Sequence, residues 1–162
     1  MAKKVTTRQM TDDQVTQRLY RIPRLKIAIV REGTISVERK RISSPQDVFN
    51  AVHGFLEDAD REYFLILTLN TKNNLTGLNV VSIGSLNSSL VHPREVFKVA
   101  ILGNAAAIIL VHNHPSLDPS PSPEDLEITR RLVEAGKLLG VEVLDHVVIG
   151  DGWVSLKERG AI

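Results

Sequence analysis

The chain has 162 residues, 43% hydrophobic and 24% charged, with no cysteine and a formal net charge of +1. That length suits one domain and is short for two, and the near-neutral charge supplies no global field for nucleic acid or an anionic membrane. Without cysteine there is neither a disulfide nor a thiolate ligand, so any catalytic metal must be held by histidine and carboxylate.

Charge is nonetheless uneven. Residues 1–41 carry eleven Lys/Arg against four Asp/Glu, a net +7, which leaves −6 for the rest. Such a segment can touch DNA or another acidic surface, but the plainer expectation is a solvated arm, because a charge run by itself specifies no partner. Met1-Ala2-Lys3-Lys4 opens no apolar leader and the longest apolar runs fall short of the ~18 residues of a membrane span, so a cytoplasmic protein off the membrane is expected. Residues 1–24 read as a polar arm and 25–162 as a single domain.

From Leu25 the pattern alternates. LKIAIVR and ISVERKR flank Glu32-Gly33-Thr34 and predict a β-hairpin, whose free edge offers a place for a second copy to pair. Ser44-Pro45-Gln46-Asp47 opens a helix expected to reach about Ala59, with serine as N-cap and proline at the first helical position. YFLILTLN is too apolar for a solvated face and belongs in mid-sheet, followed through Thr71-Lys72-Asn73-Asn74 by an antiparallel neighbour, LTGLNVVSIG. His92-Pro93 starts a second helix that ends near Gly103-Asn104. AAAIILVHN is the next buried strand, and it runs into HPSLDPSPSP, which holds four of the seven prolines. A third helix spans Glu124 to Leu139 with Gly140 as its stop, and VEVLDHVVIG and WVSLKE are the closing strands. The alternation predicts an α/β fold, a mixed sheet flanked by helices.

Chemistry concentrates at 112–125. His112 and His114 are two apart at a strand end, so both side chains face one way and offer two imidazole nitrogens. Asp125, in the first turn of the next helix, can face the same strand end. Two histidines and one carboxylate leave the fourth tetrahedral position of a zinc ion open for water, the arrangement of hydrolytic rather than structural sites. The competing reading is that Ser122-Pro123-Glu124-Asp125 is only a helix cap, since Ser44-Pro45-Gln46-Asp47 has the same shape with no histidine pair before it. Asn113 is expected to bond within the loop, His146 to be a satisfied strand histidine rather than a fourth ligand, and Trp153 to pack at an edge. Ser116 and Asp118 either orient a ligand or make turn bonds.

The spacing His112-x-His114, seven residues, Ser122, two residues, Asp125 resembles the JAMM metalloprotease motif of JAB/MPN-type domains. VHPREVFKVAI at 91–101, HNHPS at 112–116, PSPED at 121–125 and LDHVVIGDG at 144–152 resemble the RadC branch in particular, over roughly residues 45–162. The resemblance implies a three-layer fold like that of cytidine deaminases, one Zn²⁺ on His112, His114 and Asp125, and a glutamate base upstream. Glu62, just before the apolar strand, matches best, with Glu57 and Glu95 as rivals. Leu117 stands where the family usually has glycine, which implies either another turn or an apolar lip.

By this resemblance Glu62 takes a proton from the attacking water, Ser122 donates to the developing oxyanion, and an amide bond of a peptide or protein substrate is hydrolysed. The alternative is a DNA-associated accessory protein, as the naming of RadC-like proteins for DNA repair suggests, with the metal site structural or vestigial. Longer family members carry a helix-hairpin-helix segment for which residues 1–41 show no counterpart. A non-catalytic scaffold comes last, because every ligand position is filled.

Overall fold

A computed structural model describes residues 21–84 and 91–162. The expected arm at 1–24 falls almost wholly outside these. Three helices, α1 (Pro45–Leu56), α2 (Pro93–Leu102) and α3 (Pro123–Leu139), surround five strands, β1 (Tyr63–Leu69), β2 (Leu75–Ile83), β3 (Ala107–Asn113), β4 (Glu142–Gly150) and β5 (Gly152–Ser155). The sheet order is β2-β1-β3-β4-β5. The β1–β2, β1–β3 and β4–β5 pairs are antiparallel, whereas β3 and β4 run parallel. Parallel neighbours need a crossover, and α3 supplies it.

The strands expected in mid-sheet are there. β3 is buried throughout and β1 everywhere but its first residue, because helices cover both faces. Val48, Val52 and Leu56 of α1 pack with Leu65, Leu67, Ile109 and Val111 on one side. On the other, Phe97 of α2 and Ile128 and Leu132 of α3 meet Phe64, Ile66, Ile108 and Leu110. Alternate residues of one strand thus serve opposite layers, and the sheet is the middle of three.

Local signals account for the helix ends. Ser44 and Ser122 both close capping boxes, with Asp47 and Asp125 at the third helical position, and Gly140 ends α3 in the left-handed region at φ 70°. His92 caps α2, its Nδ1 accepting from the Arg94 N–H at 3.2 Å. Helix α1 stops at Leu56, three residues before the expected Ala59, where the Ala59 N–H bonds back to the Leu56 carbonyl in a turn.

The hairpin expected at 25–41 does not form. Residues 21–37 hold no helix or strand, and among the described residues the only pairing of the 25–41 segment is an isolated antiparallel bridge between Arg41 and Asn74. Leu25 and Ile27 are 82% and 70% exposed, so this alternating face stays largely in solvent. A two-stranded hairpin whose apolar face is left unpacked is marginal in water.

Candidate metal centre

The site lies where β3 ends and α3 begins, at the carboxyl end of the parallel pair. β3 delivers His112, and the His114 N–H holds the chain to β4 through the Ile149 carbonyl at 2.8 Å. The proline-rich loop then returns the chain to Ser122, which caps α3 and brings Asp125 under the two imidazoles. The Nε2 atoms of His112 and His114 are 3.0 Å apart, and the Asp125 oxygens lie 3.3 Å from the first and 3.5 Å from the second. Ligand atoms of all three residues fall within 4.8 Å of one another, as a shared ion requires.

Each candidate ligand is held from behind. The Nδ1 of His114 lies 2.7 Å from the Asp118 carbonyl. A carbonyl only accepts, so Nδ1 carries the proton and Nε2 presents a bare lone pair to the site. Asp125 Oδ2 receives the Ser122 N–H and hydroxyl, each at 2.7 Å, while the Ser122 oxygen accepts from the Asp125 N–H at 3.1 Å. The helix cap and the candidate ligand are therefore the same residues: the cap holds the carboxylate that the histidines face. Burial raises the Asp125 carboxyl, but the imidazoles of His112 and His114 beside it, with the Ser122 hydrogen bond, outweigh it and keep the group ionised far below the usual carboxylate range. The Asp125 carboxylate beside it holds His114 above its ordinary value, against the effect of burial. Phe64 lies almost parallel to the His112 ring at 6.2 Å between centroids and closes the inner side with hydrocarbon.

The outer side opens into a cleft of about 290 Å³ lined by Glu62, His114, Ser116, Ser122, Glu124 and Asp125. Glu62 precedes β1, which pairs with β3 so that Phe64 lies opposite His112. Asn113 clamps the Glu62 peptide on both flanks: its Oδ1 accepts the Tyr63 N–H at 2.8 Å and its Nδ2 donates to the Arg61 carbonyl at 3.0 Å. The rival glutamates sit elsewhere. Glu57 follows the last turn of α1, and Glu95 pairs with Lys98 on α2. Asp118 contributes its backbone carbonyl to His114 and its carboxylate to a turn bond from the Ser120 N–H, whereas Ser116 lines the cleft.

The profile of the RadC-like JAB domain matches residues 42–161. The chain belongs to that family. Curated relatives agree: the UPF0758 protein of Desulfitobacterium hafniense is 57% identical over 125 residues, which are 76% of this chain and 55% of the relative. That of Alkaliphilus metalliredigens is 59% identical over 127 residues, 78% and 55% of the two chains. The archaeal UPF0758 protein of Methanosarcina mazei is 52% identical over 132 residues, 81% and 58%. The chain spans about half the length of these curated relatives.

Within this RadC-like domain, the partners of two residues lay beyond the residue-by-residue reading. Asn113 was legible only as a loop hydrogen-bonder, since nothing in its neighbours shows that it reaches residues 61 and 63 across the strands. His146, expected as a satisfied strand histidine, is fully buried with its Nε2 2.8 Å from His112 Nδ1 and its Nδ1 2.5 Å from Thr129 Oγ1. Burial, then the nearby His112, lowers its pKa well below the usual imidazole value, so it stays neutral. The available signal was the spacing Asp125…Thr129, i and i+4 on one helix face.

Proposed function

We propose that this RadC-like domain is a zinc-dependent hydrolase of peptide or isopeptide bonds. The observation that carries the reading is the convergence of two imidazole nitrogens and an ionised carboxylate on the wall of an open cleft that Glu62 also lines. The donor set fits the metal: two neutral nitrogens and one anionic oxygen suit a borderline-soft ion, and three ligands leave a position for water. With its Nδ1 proton held by Asp118, the bare His114 Nε2 faces His112 Nε2 at 3.0 Å, a spacing that a shared cation stabilises.

Bound there, zinc supplies Lewis acidity that polarises an amide carbonyl and acidifies water. The chain's own residues do the rest. The Glu62 carboxylate accepts a proton from the attacking water and returns it to the leaving amine nitrogen, so that one water is consumed and the amide C–N bond breaks. Asn113 fixes the peptide from which Glu62 projects. The Ser122 hydroxyl, whose one proton rests on Asp125, turns it toward the carbonyl oxygen as negative charge develops.

The test is metal content of protein purified without chelator or metal-affinity resin, beside His112→Ala and Glu62→Ala. About one zinc per chain in the wild type and in Glu62→Ala, none in His112→Ala, and peptide hydrolysis lost in Glu62→Ala are the expected results. No zinc in fresh protein and none taken up from micromolar zinc would sink the reading. The DNA-associated alternative then stands on the basic residues 1–41, and salt-sensitive binding of a DNA duplex is its signature.

A further inference from the structure

His146 is paired at both ring nitrogens yet takes no part in the proposed chemistry, and the direction of its hydrogen bonds has a consequence for the candidate metal centre. The Thr129 hydroxyl lies 2.6 Å from the Asp125 carbonyl, which can only accept, so Thr129 donates its single proton there. Its oxygen must then accept from His146 Nδ1, which carries the proton. The ring of His146 is fully buried with its nitrogens on a hydroxyl and an imidazole, so it holds one proton, on Nδ1, and its Nε2 accepts from His112 Nδ1. His112 therefore has its proton on Nδ1 and a bare lone pair on Nε2, the atom that faces His114 and Asp125. His112, His146 and Thr129 are fully buried, so no solvent molecule competes for any link.

We propose that His146 and Thr129 are positioning residues that set the tautomer and ring orientation of His112 for metal binding, through a one-way relay ending on the backbone of a second ligand residue, Asp125. The relay ties β3, β4 and α3 together directly beneath the site. It explains why a histidine sits among the apolar residues of β4: with both ring nitrogens engaged it serves as partner of a ligand and not as a ligand. The proposal rests on the reading of His112, His114 and Asp125 as a metal centre. Partners that orient a metal-bound imidazole in this way typically contribute about 10–100-fold to affinity.

The experiment combines zinc titration against a competing chelator with long-range ¹H–¹⁵N imidazole spectra of the metal-free protein. The variants are Thr129→Val, which keeps the shape of the side chain and removes the hydroxyl, and His146→Leu and His146→Gln. The metal-free wild type is expected to show His112 protonated at Nδ1. Thr129→Val and His146→Leu should weaken zinc binding about 10–100-fold and mix the His112 tautomers. His146→Gln, whose amide oxygen takes the place of the Nε2 acceptor, should recover much of both. A side chain that only fills space would leave the His112 spectrum unchanged. His112 protonated at Nε2 in the metal-free wild type, or unaltered zinc affinity in folded Thr129→Val and His146→Leu, overturns the relay. An Nδ1-protonated His112 in wild type that takes up no zinc supports the relay and overturns the metal reading instead.

Discussion

At the scale of single residues, the site depends on side chains that bridge between strands. Asn113 lies between two candidate ligands in sequence, yet its amide engages the peptides on either side of Glu62. Asn113→Ala removes an acceptor for the Tyr63 N–H and a donor for the Arg61 carbonyl, so a loss of about 1–2 kcal/mol is expected in urea unfolding. Bound zinc should be retained while hydrolysis falls, because the change reaches Glu62 and spares the imidazoles. Leu117 shows the opposite case, a residue at odds with its backbone. It adopts φ 66°, a left-handed conformation that glycine accepts without strain, and its side chain is 62% exposed at the loop surface. Of the two alternatives expected from its departure from the family pattern, the exposed leucine fits the apolar lip, since its backbone keeps a conformation that glycine also adopts.

At the scale of elements, two capping boxes of the same design have different environments. In α1 the Asp47 carboxylate accepts from the Ser43 N–H and hydroxyl at 2.9 and 2.7 Å and from the Ser44 N–H at 3.1 Å, all at the surface. The Ser43 hydrogen bonds, with help from Ser44, lower its pKa from the ordinary 3.8. A lowered folded value means that the stabilisation is complete above the unfolded pKa and is lost as pH falls through the folded one. Asp47→Asn should cost about 0.5–1 kcal/mol at neutral pH, and the wild-type advantage should shrink with acidification below about pH 4, read as the difference in urea midpoints. In α3 the corresponding Asp125 is buried against two histidines, so the same cap serves as the mount of a candidate ligand. Strand β4 has its own anchor: buried Asp145 accepts from the His146 N–H, the Ser155 hydroxyl and the Lys157 N–H, and so fastens the strand that carries His146 to the end of β5.

For the whole molecule, the decisive packing is that of the 114–123 loop on the end of β4. The Asp151 N–H bonds to the Leu117 carbonyl at 2.7 Å, and a Cβ built on Gly150 would come within 2.8 Å of both the Leu117 carbonyl carbon and the Pro119 nitrogen. These are backbone atoms, so a side chain at 150 must push the loop away. That loop presents the Asp118 carbonyl that holds His114. Gly150→Ala is accordingly expected to destabilise the fold by about 1–3 kcal/mol. It should also weaken zinc binding beyond what unfolding explains, as isothermal titration of the folded fraction would reveal. Unchanged zinc affinity would mean that the loop yields without moving the carbonyl. Among the described residues no helix is long and apolar enough to cross a membrane.

The sequence by itself determined most of the elements and the candidate ligand set. The apolar runs, the Ser-Pro caps and Gly140 are local signals, and they placed the three helices and five strands because propensity, capping and burial pattern agree within each segment. His112, His114 and Asp125 were legible for a related reason: two are strand neighbours on one face, and the third is fixed to its helix start by the cap. The hairpin at 25–41 was misread because alternation shows only that a strand would be two-faced, and whether a surface exists to receive its apolar face is a tertiary matter. Tertiary structure alone likewise decided the clamp of Asn113 on the Glu62 peptide and the relay through His146 and Thr129. Hydrogen bonds from side chains to groups 17 to 52 residues away leave no periodic trace in the sequence, because their geometry exists only after strands and helix have packed.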